Sequence, residues 1–205
     1  MKMLKKAAAV LLAAAMSLTM LTACGGGSGS GSSGVFEGSY TIKTSVVERN
    51  GQPVTTESSY QTTNGTWSYL EDTDESGTNA TLIGPDAVYY VNPTSKKAYK
   101  ASDKETSGST PDTGAGYTIK TENGTWEYNN KTYTTQSTII ESAEGKMITT
   151  YCFDNGKFAY IKSEETAKGS TYTEIIRVNE YSKTADESKL DLNNYKLVEN
   201  PKDLF

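Results

Sequence analysis

The 205-residue chain is 35% hydrophobic and 22% charged, with 25 acidic residues against 20 basic ones and no histidine. That balance suits a single folded domain and argues against a phosphate-neutralising surface for nucleic acid. The missing imidazole excludes Ser-His-Asp and Cys-His catalysis, histidine ligation of metals and histidine pH switching.

Residues 1–23 read as a secretory signal peptide. Lys2, Lys5 and Lys6 precede an apolar run over residues 7–21, fifteen positions, which is short of the about 20 residues needed to span a bilayer. The run ends in Leu21-Thr22-Ala23-Cys24, followed by Gly25. This order resembles the lipobox of bacterial lipoproteins. The resemblance implies cleavage before Cys24, a diacylglycerol on its sulfur, and a protein held at the extracytoplasmic face of the cell membrane. Loss of the three leader lysines leaves 17 basic groups against 25 acidic ones, a net charge of −8. Residues 24–34 are then the lipidated cysteine and a tether of Gly and Ser alone, with an end-to-end distance of about 16–19 Å.

Residues 35–205 are expected to form one all-β domain. They are rich in Thr, Ser, Gly and Tyr and alternate apolar with polar positions in short runs. The pattern predicts strands at 40–47, 66–70, 80–83, 87–91 and 97–100, then at 117–121, 125–128, 133–141, 146–153, 157–162 and 171–181. About ten antiparallel strands follow. Asn50-Gly51 and Asp154-Asn155-Gly156-Lys157 mark hairpins, because Asn and Gly tolerate the positive φ of a type I′ turn. Residues 101–116 hold no large apolar side chain and are expected to be an exposed loop between two halves of the sheet. Residues 183–192 offer a helical turn, with Thr184 or Asp186 as its cap and Leu190 and Leu192 available for burial.

Two internal echoes stand out. Tyr40-Thr-Ile-Lys-Thr44 returns as Tyr117-Thr-Ile-Lys-Thr121, at an offset of 77, and Asn64-Gly-Thr-Trp67 returns as Asn123-Gly-Thr-Trp126, at an offset of 59. Unequal offsets speak against simple tandem duplication and for repeated hairpin chemistry. Cys152, in an alternating strand and without a histidine to activate it, reads as a small buried apolar residue. Asp72, Asp74, Ser76 and Gly77 stand at the first, third, fifth and sixth positions of a calcium loop, but the twelfth is Ile83 rather than a bidentate Glu. An acidic hairpin tip is expected there instead. No pair of carboxylates is singled out for glycoside hydrolysis, and no glycine-rich phosphate loop opens a helix, so neither an enzyme nor a cofactor is expected.

The second half carries a further pattern: Asn123-Gly-Thr-Trp-Glu-Tyr-Asn-Asn-Lys-Thr-Tyr133, then Thr150-Tyr-Cys-Phe-Asp-Asn-Gly-Lys-Phe-Ala-Tyr-Ile161, then Glu174-Ile-Ile-Arg-Val-Asn-Glu-Tyr181 leading to Leu190-Asp-Leu-Asn-Asn-Tyr-Lys-Leu-Val198. It resembles the closing strands of the LolA/LppX-like lipoproteins. The resemblance implies a curved antiparallel sheet, a half-barrel with little helix beyond the signal peptide and a short C-terminal turn, whose concave face holds an acyl chain or another apolar ligand. Members of that group set helices against the open side. Here the chain enters its first strand straight from the tether and residues 101–116 are too polar for such a helix, so a shallower, partly polar groove is expected. Large aliphatic residues are few, which leaves tyrosine to supply much of the apolar surface. By strand alternation the candidate ligand contacts are Trp67, Trp126, Tyr151, Phe153, Ile176 and Val178. The alternative function is a surface adhesion or envelope interaction module that binds protein or glycan through tyrosine-rich faces and sheet edges.

Overall fold

The computed structural model describes residues 36, 38–101, 118–143 and 145–205. The expected leader, Cys24, the tether and the expected loop beyond Ala101 lie outside the described residues. Within them, runs of Thr, Ile, Val and Tyr form β1 (Tyr40–Arg49), β2 (Gln52–Pro53), β3 (Ser58–Thr63), β4 (Ser68–Asp74), β5 (Gly77–Ile83), β6 (Val88–Asn92) and β7 (Lys97–Lys100). After residue 117 come β8 (Thr118–Tyr128), β9 (Lys131–Glu141), β10 (Gly145–Asp154), β11 (Lys157–Ala167) and β12 (Ser170–Ser182), then a helical turn α1 (Glu187–Leu190) and β13 (Lys196–Val198). All thirteen strands belong to one open sheet, ordered β13-β7-β6-β5-β4-β3-β1-β12-β11-β10-β9-β8, with β2 folded back on β1. The all-β expectation holds. Every pairing is antiparallel except that of β13 with β7.

Two-residue turns connect the long hairpins. Asn50-Gly51, Asn129-Asn130, Asn155-Gly156 and Lys168-Gly169 all have positive φ at both positions, the type I′ pattern whose twist matches that of the flanking strands. Two of these, at 129–130 and 168–169, carried no named signal in the sequence.

Several expectations need correcting. β3 was not expected at all, since Ser-Ser-Tyr-Gln-Thr-Thr lacks aliphatic alternation. It holds because its buried hydroxyls are bonded: Thr62 Oγ1 donates to the Tyr40 carbonyl at 3.1 Å and Thr63 Oγ1 to the Trp67 carbonyl at 2.8 Å. β8 is one strand rather than two, because Asn123 and Gly124 pair directly with Gln136 and Thr135. The first copy of the same tetrapeptide is a turn: Gly65 has φ 87°, and Asn64 Oδ1 accepts the N–H groups of Thr66 and Trp67 at 3.1 and 2.9 Å. The echo therefore does not reflect one repeated hairpin. Ala101, expected in an exposed loop, is 2% exposed and donates its N–H to the Val88 carbonyl at 2.9 Å, ending β7 inside the fold.

Directly opposed residues of an antiparallel pair share a face, and this sorts the core into two. On the first face, Tyr151 stands opposite Ile161, Ile161 opposite Ile176, and Ile176 opposite Val46, a row across β10, β11, β12 and β1. With Phe36, Tyr40, Ile42 and Phe158 these residues make one apolar cluster. On the second face, Tyr69 stands opposite Leu82 and Ala80 opposite Val91, which stands opposite Ala98, building a second cluster on β4–β7. Each cluster buries one face of about half the strands.

The second cluster is covered by the chain that follows β12. Asp186 caps α1 as expected, accepting from the Ser188 N–H at 3.1 Å, while its own N–H donates to Thr62 Oγ1 at 2.8 Å and Tyr60 OH donates to its Oδ2 at 2.8 Å. Leu190 and Tyr195 are then 3% and 6% exposed against Tyr69 and Leu82. Lys189 lies over the rings of Tyr69 and Tyr60 at 5.0 and 5.6 Å and donates to Glu71 at 3.3 Å. Burial of two large side chains contributes about 3–6 kcal/mol, which suffices to hold so short a helical segment in place.

Trp67 closes the edge of this cluster by lying on Gly84. A Cβ there would stand 2.5 Å from two carbons of its ring, and Trp67 also stacks on Tyr89 at 6.3 Å. Gly84→Ala is expected to push Trp67 off its seat and lower stability by about 1–3 kcal/mol. Chemical denaturation followed by tryptophan emission reads both effects, as a lower midpoint and a changed native spectrum.

Candidate functional site

Four of the six residues expected to contact a ligand come together. Tyr151, Phe153, Ile176 and Val178 all belong to the first-face cluster. Alternation placed them correctly across three irregularities, one between Cys152 and Phe153 and two between β1 and β12. The tryptophans do not join them. Trp67 packs on the second-face cluster, and Trp126 stands on the second face at the far end of the sheet, opposite Tyr133.

The first-face cluster is filled by its own side chains. Tyr151 and Ile176 are 5% and 3% exposed. Phe36 sits over them, with its ring 5.0 Å from that of Tyr40, 5.6 Å from Tyr151, 5.8 Å from Phe158 and 6.3 Å from Tyr181. Burial pushes the Tyr151 phenol up to about 12, and burial together with the neighbouring phenols raises Tyr40, whose hydroxyl accepts from Gln61 Nε2 at 2.8 Å. Both rings are neutral amphipathic surface across the physiological range.

A more open group of aromatic rings forms across β8, β9 and β11, with β10 lying between the last two. Trp126 and Tyr128, two apart on one strand and so on the same face, stack at 4.7 Å and 12°. Tyr133 is 5.7 Å from Trp126, and Tyr160 lies edge-on to Trp126, Tyr128 and Tyr133 at 5.9, 5.5 and 5.4 Å. Tyr133 is buried beneath the others, whereas Trp126, Tyr128 and Tyr160 are half-buried. Lys131 rides over the Tyr133 ring at 5.8 Å and pairs with Asp154 at 2.5 Å. The Tyr128 hydroxyl points at Glu48 at 3.5 Å; partial burial and then that carboxylate raise its pKa. Tyr128, Tyr133 and Tyr160 were not singled out from sequence. The signal was present: once Asn129-Asn130 is read as a two-residue turn, Trp126 must face Tyr133.

The remaining chemical candidates resolve as structure. Cys152 is fully buried, with its thiol 3.8 Å from the Thr150 carbonyl oxygen, and burial pushes its pKa up to about 12. It is a packing residue, not a nucleophile. The acidic stretch spreads over both faces of β4: Asp72 accepts from Ser59, Glu71 from Tyr69 and Lys189, and Asp74 from the Ser76 N–H of the hairpin tip. Burial raises the Asp72 carboxyl. Among the described residues no group of three or more Cys, Asp or Glu is placed to hold a metal ion.

Glu174 is a buried carboxylate with a defined partner. At 3% exposure it accepts from Arg49 Nη2 at 2.7 Å, Arg49 Nε at 3.0 Å and Tyr172 OH at 3.1 Å, while Arg49 also grips Glu57 through two nitrogens at 2.8 and 2.5 Å. This guanidinium joins β1 to β12 and to the chain before β3. Its carboxylates hold Arg49 firmly protonated, so the cluster is a structural clamp.

No family model and no curated protein matches the chain. Among solved structures, an uncharacterized conserved protein from Thermus thermophilus is similar at a TM-score of 0.47 and 8% identity, over 81% of this chain and 93% of that one.

Proposed function

We propose that the chain is a non-enzymatic binding module, tethered through an acylated Cys24 to the extracytoplasmic face of the cell membrane, and that it offers the aromatic group of Trp126, Tyr128, Tyr133 and Tyr160 to a glycan or protein of the envelope. The observation that carries this reading is the contrast between the aromatic clusters. The first packs beneath Phe36 and the second beneath residues 185–195, whereas Trp126, Tyr128 and Tyr160 of the third are half-buried. Tyr and Trp present broad rigid surface with few rotamers to fix on binding, and their polar edges suit a partner that is itself apolar on one side and polar at its rim, such as the C–H face of a sugar ring.

The membrane-tether part of the proposal rests on the order of charge, apolar run and lipobox-like cysteine in the leader. Two or more acyl chains make such anchoring stable, at about 0.8 kcal/mol per buried methylene. Cys24→Ala is expected to abolish fatty-acid labelling and move the protein from the detergent phase to the aqueous phase on phase partitioning. Wild-type protein that carries no label would sink the anchor.

A ligand at the third cluster should report through Trp126. In a Trp67→Phe background, titration with soluble envelope polysaccharide should change the remaining tryptophan emission saturably. Replacing Trp126 with Ala, followed by calorimetry in place of emission, should weaken binding about 10–30-fold, the scale of a central aromatic anchor. A flat titration with polysaccharide and with envelope protein extract would reject the site.

A second reading keeps the lipid or other apolar ligand on the first face. What favours it is Phe36. One ring lies near rings from β1, β12, β11 and β10, which in a flat sheet at about 4.8 Å per strand would be spread over about 14 Å. We read this as a local curl around Phe36, in the manner of the half-barrel that the LolA/LppX resemblance implies. Displacing Phe36 would expose Tyr151, Phe153, Ile176 and Val178 together. On this reading Phe36→Ala increases uptake of a fluorescent fatty acid, and native mass spectrometry of detergent-free wild-type protein shows bound lipid; an empty protein whose Phe36→Ala variant also stays empty excludes it.

A further inference from the structure

β8 ends the sheet. Its inner side pairs with β9 along its whole length, from Thr118 opposite Glu141 to Tyr128 opposite Lys131, and among the described residues no strand pairs with its outer side. Eleven residues long, it is exposed at every position from Thr118 to Thr125, with Ile119 at 53%. The opposite end of the sheet is the three-residue β13. A long open edge is a template for another strand unless its side chains forbid it.

The turn at its end sets which backbone groups are free. Tyr128 and Lys131 flank the two-residue turn at Asn129-Asn130 and so form a hydrogen-bonded pair. Counting back, Trp126, Gly124, Glu122 and Lys120 direct their N–H and C=O groups to β9. Glu127, Thr125, Asn123, Thr121 and Ile119 direct theirs outward. A second copy added antiparallel, by a two-fold axis normal to the sheet, must set outward residues opposite outward residues, with the axis either at one of those five or at one of the even-numbered residues between them.

Side-chain charge selects among them. Centred on Thr121, the copies set Lys120 against the partner's Glu122 and Glu122 against the partner's Lys120, two opposite-charge pairs on one face. Centred on Asn123, they set Lys120 against the partner's Trp126 and Ile119 against the partner's Glu127. Centred on Thr125, they set Asn123 against the partner's Glu127; centred on Ile119, Lys120 meets the partner's Thr118; and centred on Glu127, the two copies of Glu127 meet each other. Centred on Lys120 or Glu122, like charges meet across the axis, and centred on Gly124 or Trp126 neither charge meets an opposite one in the described strand. Only one register is complementary in charge.

We propose that the chain forms a two-fold dimer through β8, with Thr121 opposite the partner's Thr121, joining two sheets into one. In this register residues 125–128 run past the partner's Thr118, so Trp126 and Tyr128 are not paired within the described part of β8. The axis sets both aromatic groups on the same side of the joined sheet, about 33 Å apart along the strands, ten residue steps at about 3.3 Å each. The pairing is independent of ligand; that it makes the protein bivalent rests on the function proposed above.

Sedimentation velocity of the full chain in detergent micelles should give the protein mass of a dimer. Lys120→Glu and Glu122→Lys, each made alone, set like charges opposite one another twice and should weaken the dimer about tenfold or more. The double variant K120E/E122K exchanges the two and should restore it, which also shows that the single variants fold. Under mild oxidant Thr121→Cys should form an interchain disulfide, whereas Ile119→Cys and Asn123→Cys should not. A monomeric wild-type protein, a dimer indifferent to the single reversals, a double variant that stays monomeric, or a disulfide favoured at position 123 would each overturn the proposal. Loss of the dimer with polysaccharide binding intact would leave the proposed function standing.

Discussion

The pairing of β1 with β12 is the contact on which the rest of this structure depends. Without it the chain would be two separate meanders, β3 to β7 and β8 to β12, each built from neighbours in sequence. β1 lies between them and pairs with both, through partners such as Ile42 with Gln61 on one side and Ile42 with Tyr181 on the other. The seam joins residues more than 120 positions apart, so its loop-closure entropy is large and must be offset locally. The offsets are visible along it: the Arg49 clamp on Glu174 at one end, Lys43 with Glu180 in the middle, and Thr41 Oγ1 bonded to the Thr184 carbonyl at the other. Two register shifts between β1 and β12 bend the ladder where it must serve cores on opposite faces.

That arrangement also divides the aromatic residues by task. A sheet with cores on alternate halves of its two faces has twice the boundary of a one-sided sheet, and its aliphatic content is low. Tyr40, Tyr69, Tyr151 and Tyr195 fill the gap as core residues, at 0–6% exposure: a phenol ring packs like Phe, with the Tyr40 hydroxyl met by Gln61 and that of Tyr69 by Glu71, while the Tyr195 hydroxyl is buried with no hydrogen-bond partner among the described residues. The same residue type, half-buried at positions 128 and 160, is the surface proposed above for binding, without any change in chemistry. Position relative to a cover, Phe36 or residues 185–195, separates the two uses.

Much of the fold was legible because local pattern and tertiary outcome agree. Residues 146–153, 157–162 and 171–181 alternate as half-buried strands do, and Asn155-Gly156 between two of them admits hardly any connection but a tight hairpin. Asp186 stood two residues before Ser188 and capped it. β3 was not legible, since the groups that make Thr62 acceptable in a core, the Tyr40 carbonyl and the Asp186 N–H, lie 22 and 124 residues away. Asn123-Gly124 misled for the complementary reason: a sequence that forms a turn at 64–65 is held extended at 123–124 by pairing with Gln136 and Thr135. For the site, alternation identifies residues that share a face within a strand, as with Tyr151 and Phe153. It cannot relate faces across a strand it has not found, so Trp67 and Trp126 were grouped with a cluster on the other side. Phe36 fell inside the expected domain but outside every expected strand, and nothing in its neighbours marks it as a core residue.

The cover over the second face comes from residues 185–195, although the cluster it closes is built from β4 to β7, all complete by residue 100. During synthesis β4 to β7 are therefore made before the residues that cover them, and Tyr69, Leu82 and Val91 have no apolar cover on that face until residues 185–195 arrive. Closure of the second face is thus coupled to completion of the second meander, so the early half of the sheet depends on the late half for its cover as well as for its neighbour.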